Sequence, residues 1–342
     1  MAGGRRGAGR PGGGRPAALR RGAVRRGLPG RRLAGAVTAP PVVALVGPTA
    51  TGKTALGVAL ARRLGGEVVN ADSMQLYRGM DVGTAKPDAA ERDGVPHHLL
   101  DVWDVRQAAS VAEYRRLARA EIDRLRADRV VPLLVGGSGL YVRAVLDELD
   151  FPGTDPAVRA RLEAELAEVG PGALHARLAA LDPAAAAAVL PSNGRRVVRA
   201  LEVVQITGGP FRAVLPEPRP HYPAVVVGLD REPAELDERV AVRVDRMWAA
   251  GFVAEVETLA ASGLREGPTA SRALGYAQVL AQLDGELTPA QARERTVAAT
   301  RRFVRRQRSW FRRDPATTWL DAARPDLVDA ALEVITARTL DR

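Results

Sequence analysis

The chain has 342 residues, no cysteine, four histidines and a formal charge of +10. That composition excludes disulfides and thiolate zinc sites, and no uncharged apolar run approaches the ~18 residues that a membrane-spanning helix needs. The length suffices for a good core in one large or two modest domains, and a cytoplasmic monomer without a membrane partner is expected.

The charge is unevenly placed. Residues 1–40 contain ten arginines, no lysine and no acid, which leaves 40 basic against 40 acidic groups in the rest. The remainder is neutral, so only local clustering can argue for nucleic acid. The 1–40 stretch of Gly, Ala, Pro and Arg has no hydrophobic period and is expected to be disordered. It lacks the apolar segment of a signal peptide. It reads either as a non-specific RNA-binding arm or as an extension without function.

Val42 to Val46 is a β-branched apolar run, long enough for one buried parallel strand. Gly47-Pro48-Thr49-Ala50-Thr51-Gly52-Lys53-Thr54 follows and fits G-x-x-x-x-G-K-[ST] at every fixed position. Ala55 to Leu64 then reads as a helix stopped by Gly65-Gly66. Backbone N–H groups of such a loop turn inward, and the helix N-terminus adds positive charge. These eight residues are therefore assigned to a diphosphate or nucleotide (ATP-type) site. Lys53 would reach the outer phosphate and the Thr54 hydroxyl would ligate Mg²⁺.

Glu67 to Ala71 reads as a second strand that delivers Asp72-Ser73 to its carboxyl end, where ligands sit in open α/β sheets. A third strand, Val130 to Val135, ends in Gly136-Gly137-Ser138-Gly139, with glycine where a magnesium-organising acid is expected. Asp72 is then the best-placed carboxylate, for chemistry or as the cap of a turn. Between these strands Pro96 to Asp101 carries a short strand. Ser110-Val111-Ala112-Glu113 reads as a capping box opening a helix to about Ala127. The β-α alternation predicts an α/β fold, a phosphate-loop NTPase-like parallel sheet covered by helices.

After Tyr141 the pattern becomes helical, with breaks at Gly170-Pro171-Gly172 and near Pro191. The expected organisation is a tail (1–40), a core (41–153 and 216–325), a small all-helical insertion (154–215) and a C-terminal helix or tail (326–342). Val225 to Leu229 returns to the sheet, and helices are expected to fill most of the remaining chain. Seven arginines (301, 302, 305, 306, 308, 312, 313) fall within thirteen residues that contain no acid. Arg301, Arg305, Arg308 and Arg312 share one helical face, which would repel itself unless an anion lay along it. It reads as a phosphate-backbone site or as a solvated face.

Taken in order, the phosphate loop, Asp72-Ser73, Gly79-Met80-Asp81-Val82-Gly83-Thr84-Ala85-Lys86-Pro87, Gly136 to Tyr141, Arg196 to Val203 and Arg306-Gln307-Arg308-Ser309-Trp310-Phe311-Arg312 resemble the bacterial tRNA dimethylallyltransferases. The likeness covers about residues 42–320. In that family a five-carbon allyl group moves from dimethylallyl diphosphate to N6 of the adenine immediately 3′ of the tRNA anticodon. The resemblance implies Asp72 as the base that takes the amino proton, with Thr49 and Lys53 beside it, and Arg239 and Arg196 as substrate contacts. It implies tRNA contacts, through the anticodon stem-loop, at Asp72, Ser73, Met74, Gln75, Ser138, Arg159, Arg195, Arg196, Arg199, Arg272, Gly275, Tyr276, Arg305, Arg306, Gln307, Arg308, Trp310 and Arg312. Three other readings share parts of this pattern. They are a small-molecule kinase, an isopentenyltransferase acting on free adenine nucleotides and a non-catalytic RNA-binding protein.

Overall fold

The computed structural model describes Met1, residues 39–213 and residues 216–340. The expected disorder of the 1–40 tail falls almost wholly outside the described residues. In chain order the elements are β1 (Val42–Val46), α1 (Lys53–Leu64), β2 (Gly66–Asn70), α2 (Ala89–Arg92), β3 (His97–His98), α3 (Val111–Ala127), β4 (Val131–Gly136) and α4 (Gly139–Leu146). Three helices come next, α5 (Pro156–Leu181), α6 (Pro183–Ala188) and α7 (Gly194–Thr207). The chain closes with β5 (Ala224–Asp230), α8 (Pro233–Ala249), α9 (Phe252–Ala261), a 3₁₀ turn (Ala270–Arg272), α10 (Tyr276–Leu283), α11 (Pro289–Phe311), β6 (Thr317–Asp321) and α12 (Leu327–Leu340).

The strands form one six-stranded parallel sheet in the order β3-β2-β4-β1-β5-β6. A parallel sheet buries both faces, which is why β1 reads as a continuous apolar run rather than an alternation. Val42, Ala44 and Val46 face a core shared with Tyr114, Ile122, Phe252 and Tyr276. Val43 and Leu45 face the other core, with Leu56, Leu60 and Ile335. The C-terminal helix α12 thus packs on the same side as α1. Helices α5 to α7 close over a third core of Leu162, Leu174, Leu178, Val197, Val198 and Leu201.

Helices fill most of the chain after β5, as expected, and one further strand joins the sheet there: β6 pairs in parallel with β5 and forms the edge. Thr317-Thr318-Trp319-Leu320 is β-branched and aromatic, but too short to show a period beside the long α11. At α3 the Ser110 hydroxyl accepts the Glu113 N–H at 3.2 Å, but only this half of the capping box forms. Gly170 does interrupt α5, with φ at 80°.

Candidate active site

The phosphate loop connects the carboxyl end of β1 to α1. Gly47 has φ 139°, and a Cβ there would sit 2.3 Å from the Leu229 carbonyl oxygen on β5. The curl continues through Ala50 (φ 70°) and Gly52 (φ 92°). Pro48 O accepts both the Thr51 hydroxyl (2.9 Å) and the Lys53 ammonium (2.6 Å). Gly47, Pro48 and Thr51 are buried or partly so and shape the loop, whereas Thr49, Ala50, Gly52, Lys53 and Thr54 line a cleft of about 1020 Å³. The Thr51 hydroxyl is turned inward and helps hold the loop's shape.

Asp72 lines the same cleft, two residues beyond β2. The Asn70 side chain holds its backbone at both ends, accepting Asp72 N–H (2.9 Å) and donating to Asp72 O (3.1 Å). One carboxylate oxygen accepts the Met74 N–H at 3.0 Å. The turn-capping reading is realised at Oδ1, while Oδ2 has no hydrogen-bond partner among the described residues. Beyond Asp72, Ser73 N–H donates to the Ser138 hydroxyl at 3.0 Å, which ties β2 to the turn after β4.

Helix α8 forms the opposite wall through Glu235, Glu238, Arg239, Arg243 and Arg246. Arg239 donates from Nε to Ala50 O at 2.8 Å and so braces the phosphate loop from outside. Arg243 was missed by sequence reasoning. Its guanidinium donates to Thr84 O at 3.0 Å, and burial lowers its pKa while the nearby Asp72 charge opposes that. The available signal was its position four residues after Arg239, on the same helix face. Lys53 is perturbed as well. Burial lowers its pKa to about 7, Asp72 opposing the shift and Arg243 adding to it. Lys53 and Arg243 thus meet Asp72 in one cleft, with Glu235 and Glu238 on the facing helix.

The Gly83-Thr84-Ala85-Lys86-Pro87 segment supplies a further wall. Its rigidity comes from Glu255 on α9, which accepts the N–H groups of Asp81 (3.0 Å), Val82 (2.6 Å) and Gly83 (3.2 Å). Lys86 is buried beneath, donating to Tyr77 O, Asp81 and Asp101. Gln75 donates to Thr84 O and Ala85 O at 3.3 and 3.2 Å.

Several residues expected to touch RNA are placed otherwise. Gly275 and Tyr276 are buried, and the Tyr276 hydroxyl donates to Glu255 at 2.6 Å, so these two build the core rather than a surface. Gln307 is 5% exposed, and its amide is consumed by Thr49 N–H and Gly137 O, each at 2.9 Å. The expected face of α11 exists, but it is compensated. Arg308 (2.9 Å) and Arg312 (2.5 Å) pair with Asp230 at the end of β5, while Arg301 and Arg305 lie 3.8 and 3.7 Å from Asp237 on α8. The acids missing from the helix itself come from its neighbours. Arg305 and Arg312 stay exposed despite these pairs, and beside them runs a second exposed stripe, Arg302, Arg306, Ser309 and Arg313, with no ion pair among the described residues. Arg306 lies over the Phe303 ring. Trp310 is half-buried against Gly139, where a Cβ would lie 2.1 Å from its Nε1.

On the helical unit, Arg195 and Arg196 are exposed at the start of α7. Arg159 and Arg199 both pair with Glu202, which is fully buried, and Arg199 also donates to the Pro152 and Gly153 carbonyls. Arg272 is exposed, whereas Ser73, Met74, Gln75 and Ser138 are half-buried around Asp72.

No group of three or more His, Asp or Glu side chains able to hold a metal occurs among the described residues. Magnesium keeps several waters and takes one or two protein oxygens plus substrate phosphates. The Thr54 hydroxyl, at the cleft and without a hydrogen-bond partner among the described residues, fits that donor set.

A phosphate loop after β1, a carboxylate just past the neighbouring β2 and glycine at the end of β4 define the cleft of a phosphate-loop α/β protein. The comparisons specify it. The family model described as IPP transferase matches residues 75–314. A tRNA dimethylallyltransferase of Salinispora arenicola is 67% identical over 86% of each chain. The crystal structure of a tRNA isopentenylpyrophosphate transferase from Bacillus halodurans is 39% identical, with TM-score 0.65, over 88% of this chain and 98% of that one. A eukaryotic dimethylallyltransferase structure described as acting on tRNA shares the fold at TM-score 0.73 and 23% identity, over 89% of this chain and 80% of that one. The chain belongs to the tRNA dimethylallyltransferase family.

Proposed function

We propose that the protein transfers a dimethylallyl group from dimethylallyl diphosphate to N6 of the adenine 3′-adjacent to a tRNA anticodon. The observation that carries this reading is one cleft holding both Asp72 and Lys53, a base facing a phosphate cradle. Thr49, Gly52, Lys53, Arg239 and Arg243 hold the diphosphate, and the Thr54 hydroxyl would hold Mg²⁺, which would add to the neutralisation of its charge. The adenine leaves its stack to enter the cleft. Its amino nitrogen forms a bond to the allylic carbon as the carbon–oxygen bond to diphosphate breaks. Asp72 Oδ2 takes the amino proton, and Lys53 with Arg243 stabilises the charge that develops on the leaving group. Substrates of this kind place the reaction in the cytoplasm.

The test is incubation of the purified protein with tRNA and dimethylallyl diphosphate, followed by mass analysis of the nucleosides. A gain of one C5H8 unit on adenosine is expected. Transfer to free adenine nucleotides but not to tRNA, or phosphorylation with ATP as donor, would replace the reading.

The exposed arginine stripe gives a second expectation. Arg302→Gln with Arg306→Gln should weaken tRNA binding and flatten its salt dependence by about 0.7 in log–log slope per lost single-strand phosphate contact. Arg308→Gln should lower thermal stability, because it deprives the largely buried Asp230 of its two-point partner. Deletion of residues 1–40 should leave modification at physiological salt nearly unchanged, since a chain without a hydrophobic period offers only screened, sequence-independent attraction. A salt titration of tRNA binding checks the first and third, with modification assayed alongside, and a thermal melt checks the second.

A further inference from the structure

Gln307 sits on the buried face of α11, between Val304 and Phe311. A neutral amide is retained at such a position where both of its ends are bonded. Here Oε1 accepts from Thr49 N–H and Nε2 donates to Gly137 O, both at 2.9 Å. The two partners belong to the two loops that flank the chemistry. Thr49 is in the phosphate loop, and Gly137 precedes Ser138, whose hydroxyl holds the N–H of Ser73 beside Asp72. The packing around the amide is close: a Cβ on Gly137 would lie 2.3 Å from Gln307 Nε2 and 3.2 Å from Gly47 O. The helix turn that carries Gln307 is itself fixed, by Arg308 on Asp230 and by Trp310 on Gly139.

We propose that Gln307 is a positioning residue whose amide sets the separation between the phosphate loop and the turn after β4, to which the loop bearing Asp72 is tied through Ser138. It holds the diphosphate cradle in register with Asp72 and takes no part in RNA contact, both ends of the amide being used within the protein. The inference rests on the transferase reading above. A misplacement of about 1 Å between reacting groups costs on the order of 10²-fold in rate, so a bridge of two hydrogen bonds at this place is a direct control of turnover.

Two variants test it. Gln307→Met keeps the approximate volume and removes both hydrogen bonds. It should lower kcat by ~10–100-fold and raise the KM for dimethylallyl diphosphate by about 10-fold, equivalent to 1.4 kcal/mol. The tRNA Kd measured without diphosphate should stay within about twofold of wild type, well short of the tenfold that 1.4 kcal/mol represents. Gln307→Glu keeps the acceptor for Thr49 but donates to Gly137 O only when protonated. Burial raises the pKa of such an acid, so its kcat relative to wild type should climb as pH falls from 8 to 6. A purely structural role predicts no such pH dependence. Wild-type kcat and KM in the Met variant, a weakened tRNA Kd with unchanged diphosphate parameters, or a flat pH ratio in the Glu variant would overturn the proposal. If the Met variant does not fold, the pH ratio decides alone. Absence of tRNA prenylation by the wild type, scored before either variant is assayed, instead sinks the parent reading.

Discussion

Asp72→Asn should lower turnover by ~10²–10⁴-fold, the range that general-base catalysis supplies, with diphosphate affinity little changed. The geometry explains the split. Asn keeps a side-chain oxygen for the Met74 N–H, so the turn that Oδ1 caps survives. Asn70 continues to hold the backbone at position 72. The substitution removes the oxygen that carries no other hydrogen bond and is free to accept a proton. Loss of the carboxylate charge also removes an attraction that favours protonated Lys53, while removing a negative charge that repels diphosphate, and the two effects on binding oppose each other. Single-turnover rates and calorimetric diphosphate titration of the same preparation separate these quantities. Near-normal turnover in the Asn variant would remove Asp72 from the role of base.

Lys53→Met should abolish a proton uptake that accompanies diphosphate binding and should weaken that binding by ~10–100-fold, the equivalent of about 1.4–2.7 kcal/mol. In the free protein burial holds the Lys53 pKa at about 7, so at pH 8 most molecules carry a neutral amine. A bound diphosphate favours the charged form, and the amine must gain a proton as the ligand enters. Binding therefore weakens as pH rises above 7, and proton uptake by Lys53 fades as pH falls below 7, where the amine is already charged. Titration with dimethylallyl diphosphate at pH 8 in buffers of different ionisation enthalpy reads the uptake directly. Equal heats in all buffers for the wild type would contradict the assignment, as would tight ATP binding with no affinity for the allyl diphosphate.

How much was legible in the sequence depends on the range of each interaction. The phosphate loop is a local code: eight consecutive residues between an apolar strand and a helix, and the structure places all of them in that strand–loop–helix turn. Asp72 was legible for the same reason, because a strand end can be read from the run before it. Gln307 was visible as a residue but not in its role, since its partner Thr49 lies 258 positions away. The arginines of α11 show the same limit. Their spacing defined a face, yet the acids that neutralise it come from Asp230 and Asp237, on a strand and a helix that precede it. Arg243 and Glu255 escaped notice because each looks like an ordinary charged helix residue until the fold brings it to a loop. The helices of residues 156–207 were legible through their helical pattern and its breaks, whereas β6 was too short and too polar at its start to stand out.

The turn after β4 also bears on how such a site can change over generations. A Cβ at Gly136 would lie 2.3 Å from the Ala71 carbonyl carbon and oxygen, in the residue just before Asp72. Many phosphate-loop enzymes keep a metal-organising acid near this level of the sheet. Here a mutation that introduced one would strike backbone, which cannot swing aside as a side chain could, and would displace Asp72 in the same stroke. The triphosphate chemistry that such scaffolds serve elsewhere is thus sterically closed to a single substitution at this position, and drift toward nucleotide hydrolysis by that route would require β2 and β4 to move apart first.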